Sequence, residues 1–115
     1  NLKILVKPHP TVHYLIELLK KEFKHLEFTK KNISKILNHV YVTLSFSSTV
    51  IEDSINSKVP VILLDRWKRY MHCDSEKNVS KPNRPIYYAS NKIDLLKALN
   101  CVRRSNKINF KKIIF

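Results

Sequence analysis

The 115-residue sequence contains no glycine. The glycine-rich dinucleotide fingerprint and the Walker A loop both need glycine where backbone approaches phosphate, so neither is available to this chain. The Gly-x-Ser-x-Gly nucleophile elbow is excluded for the same reason. Any phosphate bound here must be held by helix-terminal amides, hydroxyls and cationic side chains.

Cysteine is nearly absent. Cys73 and Cys101 are the only two, too few for a disulfide framework. Cys101 falls on the apolar side of a predicted helix, where a small core residue is expected. The expected compartment is the reducing cytosol, in which the sequons Asn32-Ile33-Ser34 and Asn78-Val79-Ser80 would go unused. No apolar run approaches the ~20 residues that span a bilayer. Acids are scarce: 9 against 22 Lys and Arg, a formal net charge of +13. Such a balance favours polyanions or an anionic membrane surface, although the cations are spread along the whole chain and charge runs are commonly solvated faces.

What is present is the patterning of one α/β domain. Hydrophobic residues make up 43%, enough for a core. Leu2 to Lys7 reads as a buried strand. A helix from about Thr11 follows, with Val12, Leu15, Ile16, Leu19 and Phe23 on one face. Leu26 to Thr29 is a short edge strand. Asn32 opens a short helix that turns Ile33, Ile36 and Leu37 inward. Val40 to Leu44 is a strand, Thr49 to Asn56 a helix, and Val59 to Leu64 an unbroken apolar strand suited to burial on both faces. Residues 65–85 read as a long irregular segment. Ile86 to Ala89 is a strand, and Ser90 or Asn91 caps a last helix with Leu95, Leu96, Leu99 and Val102 on its inner side. Strands alternating with helices predict layered α/β structure around a mostly parallel sheet. Residues 105–115 form a basic extension.

Two strand ends carry the chemistry. The first is Lys7-Pro8-His9-Pro10. Its prolines fix φ on both sides of His9, and the imidazole can donate to a phosphate oxygen. The tetrapeptide can equally be a stiff turn. The second is Ser45-Phe46-Ser47-Ser48-Thr49, hydroxyls opening a helix whose amides and dipole attract anions. Here the alternative is local: Ser47 and Ser48 can cap and turn the chain, and Thr49 with Glu52 matches a capping box. Arg66-Trp67-Lys68-Arg69-Tyr70 mixes cations with aromatics that can stack bases or sugars, or can pack over the sheet edge. His9 with His13, and His72-Cys73-Asp74, are too few to make a zinc site, and no metal is expected.

A strand ending in Lys-Pro-His-Pro, then Ser-Ser-Thr-x-x-Glu, then Pro-Val-Ile is similar to the carboxy-terminal half of GT-B glycosyltransferases. The resemblance covers Leu2 to Leu64 and is nearest to bacterial capsule and lipooligosaccharide transferases with a His-Pro motif. It implies a three-layer, Rossmann-like domain over residues 1–104 with a mostly parallel sheet of about five strands, holding a CMP- or UDP-sugar at the carboxyl ends of its strands. It implies that His9 contacts the donor phosphate and stabilises the leaving group, with Lys7 adding charge. Ser47, Ser48 and Thr49 would bind phosphate. Glu52 would reach the ribose, with Glu27 as a rival; Arg66 and Trp67, beyond the residues that the resemblance covers, are candidate base or sugar contacts by their own chemistry. Relatives carry glycine before the Pro-Val-Ile strand; here Asn56 or Ser57 is expected to take the left-handed conformation.

The same resemblance implies a fragment of a two-domain enzyme whose acceptor half, with the catalytic base, precedes Asn1. It would be cytoplasmic and peripheral to the inner membrane face, and inactive alone. The alternatives are a basic module for single-stranded nucleic acid, or a sugar-nucleotide epimerase or polyol-phosphate transferase on the same fold.

Overall fold

Elements were placed in a computed structural model, which describes residues 4–7, 10–45, 48–69, 71, 74–108 and 110. The chain divides into two units, Asn1–Ile36 and Leu37–Phe115.

In the first unit β1 (Leu5–Val6) pairs in parallel with β2 (Glu27–Phe28), Leu5 opposite Glu27 and Val6 opposite Phe28. The expectation of a buried first strand is corrected. Ile4 and Leu5 are exposed, because a ladder of two-residue strands gives β1 one neighbour among the described residues. The helix begins as a 3-10 segment, Pro10–Leu15, and becomes α-helical as α1 (Ile16–Glu22). A proline at the start and two β-branched residues behind it fit the tighter opening turn. Ile16 is buried. Phe23 is not: it is the C-cap, with φ −119° and ψ 73°, and leaves the helical register before it can extend the apolar face. The unit closes with α2 (Ile33–Ile36).

The second unit opens with a 3-10 turn, Leu37–His39, and is built on β4 (Val61–Leu64). Val61, Ile62 and Leu63 have no exposed surface, the signature of a central strand covered on both faces. Pro60 lacks an N–H and stands just before the strand, where its carbonyl accepts from Thr43 N at 2.9 Å. β3 (Thr43–Ser45) and β5 (Ile86–Ala89) flank β4, both parallel to it. β3 starts later than the sequence suggests because the 3-10 turn and a bend at Tyr41 take up the preceding residues. Among the described residues the five strands therefore form parallel sheets of two and three, rather than one sheet of about five.

Alternation along the strands sorts side chains to two helices. Ile62, Tyr87 and Ala89 pack with Ala98, Cys101 and Val102 of α4 (Lys92–Arg104). Val61, Leu63, Ile86 and Tyr88 pack with Ile51 and Ile55 of α3 (Ser48–Asn56). Leu96, expected inside, is exposed, because the sheet is met by Leu95, Ala98, Leu99, Cys101 and Val102. Asn91 caps α4, its side-chain oxygen accepting from Asp94 N at 2.8 Å.

α3 ends in a Schellman motif. Val59 N donates to Ser54 O at 2.8 Å and Lys58 N to Ile55 O at 3.0 Å. The left-handed residue is Lys58, with φ 58°, and not Asn56 or Ser57 as expected. Helical hydrogen bonding runs on through Ser57, whose N–H reaches Asp53 O, so the reversal falls one residue later. Glu76 makes a parallel bridge to Tyr87 and ties the irregular 65–85 segment to the outer side of β5. Among the described residues no helix is long and apolar enough to cross a membrane.

Candidate functional site

All three strands of the larger sheet are parallel, so their carboxyl ends share one rim, where open α/β sheets take ligands. β3 ends at Ser45 and α3 opens at Ser48. β4 ends at Leu64 and delivers Asp65 to the same rim; β5 ends at Ala89.

Asp65 organises this rim. Its N–H donates to Ala89 O at 2.8 Å, carrying the ladder one residue beyond β4. Its side chain is buried, 3% exposed. Oδ2 accepts from the Tyr88 hydroxyl at 2.8 Å and Oδ1 from Arg69 N at 2.9 Å. Its own carbonyl accepts from Lys68 N at 3.2 Å. Lys68 closes the turn with φ 57°. Both ends of the 65–69 loop are thus fastened to one carboxylate residue. Burial, and then the bond to Asp65 and its charge, push the Tyr88 phenol up to about 12. The phenol is therefore a donor throughout the neutral range. Lys77 Nζ stands 5.6 Å from the Tyr88 ring centroid.

The fastened loop presents Arg66 and Trp67. The guanidinium carbon lies 5.1 Å from the Trp67 ring centroid, and Trp67 is 71% exposed. A cation stacked on an open indole face suits a flat, anionic or π-rich ligand. The other reading of this segment, packing over the sheet edge, does not describe Trp67.

The remaining expected residues are distributed as follows. Lys7 comes directly after β1 and is half-buried. Thr29 N donates to Val6 O at 3.0 Å at that end of the smaller sheet. Glu27 is the exposed first residue of β2. His9, Pro8 and Ser47 lie outside the described residues, as do His72 and Cys73. Ser48 and Thr49 are the first two residues of α3. Glu52 points away from buried Ile51 and is exposed, one turn from the helix start. Among the described residues no group of three or more His, Cys, Asp and Glu could hold a metal.

Sequence reasoning passed over Asp65 and Tyr88. Their signal was present in the alternation: Val61, Leu63 and Asp65 share one face of β4 and its continuation, and Leu63 is in register with Tyr88. A lone acid at the end of an apolar run, beside a strand tyrosine on the same face, marks a buried carboxylate–phenol pair.

No protein-family model matches this chain, and no curated protein or solved structure matches it either.

Proposed function

We propose that this chain is the donor-nucleotide-binding half of a GT-B-type glycosyltransferase of bacterial surface-carbohydrate assembly, acting with an acceptor domain outside this sequence. The observation that carries the reading is the start of α3 at Ser48, directly beyond the carboxyl end of parallel strand β3. Amides and hydroxyls of Ser48 and Thr49 there can receive a phosphate without glycine. Arg66 and Trp67 stand at the end of the neighbouring strand as a platform for the base or sugar. Glu52, exposed one turn into α3, would reach the ribose hydroxyls. Lys7 and His9, which lie in the first unit, enter the reading through the sequence resemblance alone, as a cation and a hydrogen-bond donor for a leaving phosphate. The Rossmann-like fold type, the cytoplasmic location at the inner membrane face and the absence of a required metal are parts of the same reading.

The test is a titration of the chain with CMP and UDP, followed by Trp67 fluorescence and amide chemical shifts. Saturable shifts at Ser48 and Thr49, weakened about tenfold or more in His9→Ala or Ser48→Ala, are expected for loss of a charge-assisted phosphate contact. Flat titrations at millimolar nucleotide would rule the reading out. The exposed Arg66–Trp67 stack also suits single-stranded nucleic acid. An oligonucleotide that binds with a steep salt dependence, while mononucleotides do not bind, would select that reading instead.

A further inference from the structure

α4 has a second face that the sheet does not use. Its inner residues Ala98, Cys101 and Val102 are buried on β4 and β5. Ile93, Leu96, Lys97, Asn100, Arg103 and Arg104 are all exposed. Their 3- and 4-residue spacing gathers them on one side of the helix. At about 1.5 Å rise per residue the helix is roughly 20 Å long. Ile93 and Leu96, 66% and 51% exposed, make an apolar pair near its amino end. Lys97, Arg103 and Arg104 follow towards the other end, and exposed Lys107 comes just after it. The single acid of α4, Asp94, is drawn aside by the N-cap: its side chain accepts from Asn91 Nδ2 at 3.2 Å. None of the ion pairs among the described residues involves α4. A shallow, open hollow lies between Asn100, Arg103 and Arg104.

We infer that this outer face of α4 docks flat on an anionic phospholipid bilayer. Ile93 and Leu96 enter the headgroup boundary, and Lys97, Arg103, Arg104 and Lys107 meet lipid phosphates, with the hollow between the two arginines receiving one of them. The arrangement is that of an interfacial helix, apolar side chains beside an acid-free cationic surface. Two features select a bilayer over other anionic partners. A phosphate backbone has no use for a paired Ile and Leu on the contact surface. An acidic protein would bury that pair, but the chain's excess of 22 cations over 9 acids extends the attraction well beyond this helix, as a continuous charged plane requires. The inference deepens the inner-membrane location that belongs to the proposed function, but its surface is separate from the nucleotide site, since α4 runs from the carboxyl rim back to the opposite end of the sheet and its cationic half lies at that far end.

The experiment is co-sedimentation of the full 115-residue chain with vesicles of phosphatidylcholine alone or mixed with phosphatidylserine, at low and at raised salt. Pelleting with the mixed vesicles only is expected. Arg103→Glu with Arg104→Glu should lower the bound fraction about tenfold, whereas Lys21→Glu with Lys24→Glu, an equal charge change on α1 and the residues after it, should change it less than about threefold. Ile93→Ser with Leu96→Ser should abolish the part of binding that survives raised salt. Absence of pelleting, or equal losses from the two charge reversals, would overturn the inference. So would an Ile93/Leu96 double variant that behaves as wild type while a single-stranded oligonucleotide competes for the two arginines. None of these outcomes touches the CMP and UDP titrations, so the two proposals fail separately.

Discussion

Tyr88 donates its phenolic hydrogen to Asp65 Oδ2 across 2.8 Å, joining the end of the central strand to its neighbour inside the core. Asp65 carries a formal charge with 3% of its surface exposed. The phenol and the Arg69 amide are two of the groups that satisfy it. Removing one donor from a buried carboxylate leaves an acceptor without water or partner, which commonly costs about 1–3 kcal/mol. Tyr88→Phe should therefore lower unfolding stability by about that amount at pH 7, measured by urea denaturation. The 65–69 loop should loosen as well, seen as a change in Trp67 emission.

The same bond has a pH signature. The phenol is raised from its ordinary 10 to about 12 in the folded chain. A raised pKa means that the protonated form is favoured by folding. Its contribution is complete below pH 10 and is lost as pH climbs towards 12, because the unfolded chain gives up the proton first. Stability should fall over that interval, and Tyr88→Phe should flatten part of the fall. Tyr87, also raised, chiefly by burial, accounts for a further part.

Lys58 closes α3 in the left-handed region with φ 58°. A side chain with a Cβ is disfavoured there by roughly 1–2 kcal/mol, and glycine is not. Lys58→Gly should raise stability by about 1 kcal/mol, and Lys58→Val should lower it, both read from thermal or urea unfolding.

Ser54 Oγ donates to Thr43 Oγ1 at 3.0 Å between α3 and β3, and both residues are buried. Ser54→Ala alone should cost about 1–2 kcal/mol by stranding the threonine hydroxyl. Thr43→Val added to it should recover much of the loss, because the apolar pair needs no partner. A double-mutant cycle measures the coupling.

Asn91 caps α4 through Asp94 N at 2.8 Å. Asn91→Ala should cost about 1 kcal/mol, and Asn91→Asp or Asn91→Ser should be nearly neutral. Because α4 covers one face of the sheet, the loss should appear in the global transition and not as local fraying.

The larger sheet was readable because its strands carry their own evidence. Val59 to Leu64 is apolar without interruption, and the strand occupies its last four residues, Val61–Leu64; Ile86 to Ala89 falls between a loop and an N-cap and stands where expected. The smaller sheet was less readable. Leu5 and Val6 look like core residues, yet a two-residue ladder leaves Leu5 in solvent. Periodicity was also a blunt guide on α4: Leu96 keeps an apolar spacing with Leu99, but the helix turns a different arc to the sheet. For the site, the local cue puts a helix start near Thr49, and the helix begins at Ser48; it also singles out Arg66 and Trp67, which are exposed. It failed for Asp65, since nothing in the local residues says that an acid at a strand end turns inward and not into water.

Elements whose character is set by neighbours in sequence were therefore determined by the chain alone: the buried parallel strand, the capped last helix, the lack of any glycine phosphate loop. Tertiary structure decided the rest. It selected Lys58 for the left-handed turn, because the run of hydrogen bonds from Ser54 to Val59 must close at one residue. It also drew Asp65 under Tyr88, 23 residues away, because parallel register brings Leu63 and Tyr88 side by side and places the next inward position against the phenol. Local pattern fixes which faces are apolar; only pairing of distant strands fixes which polar atoms meet.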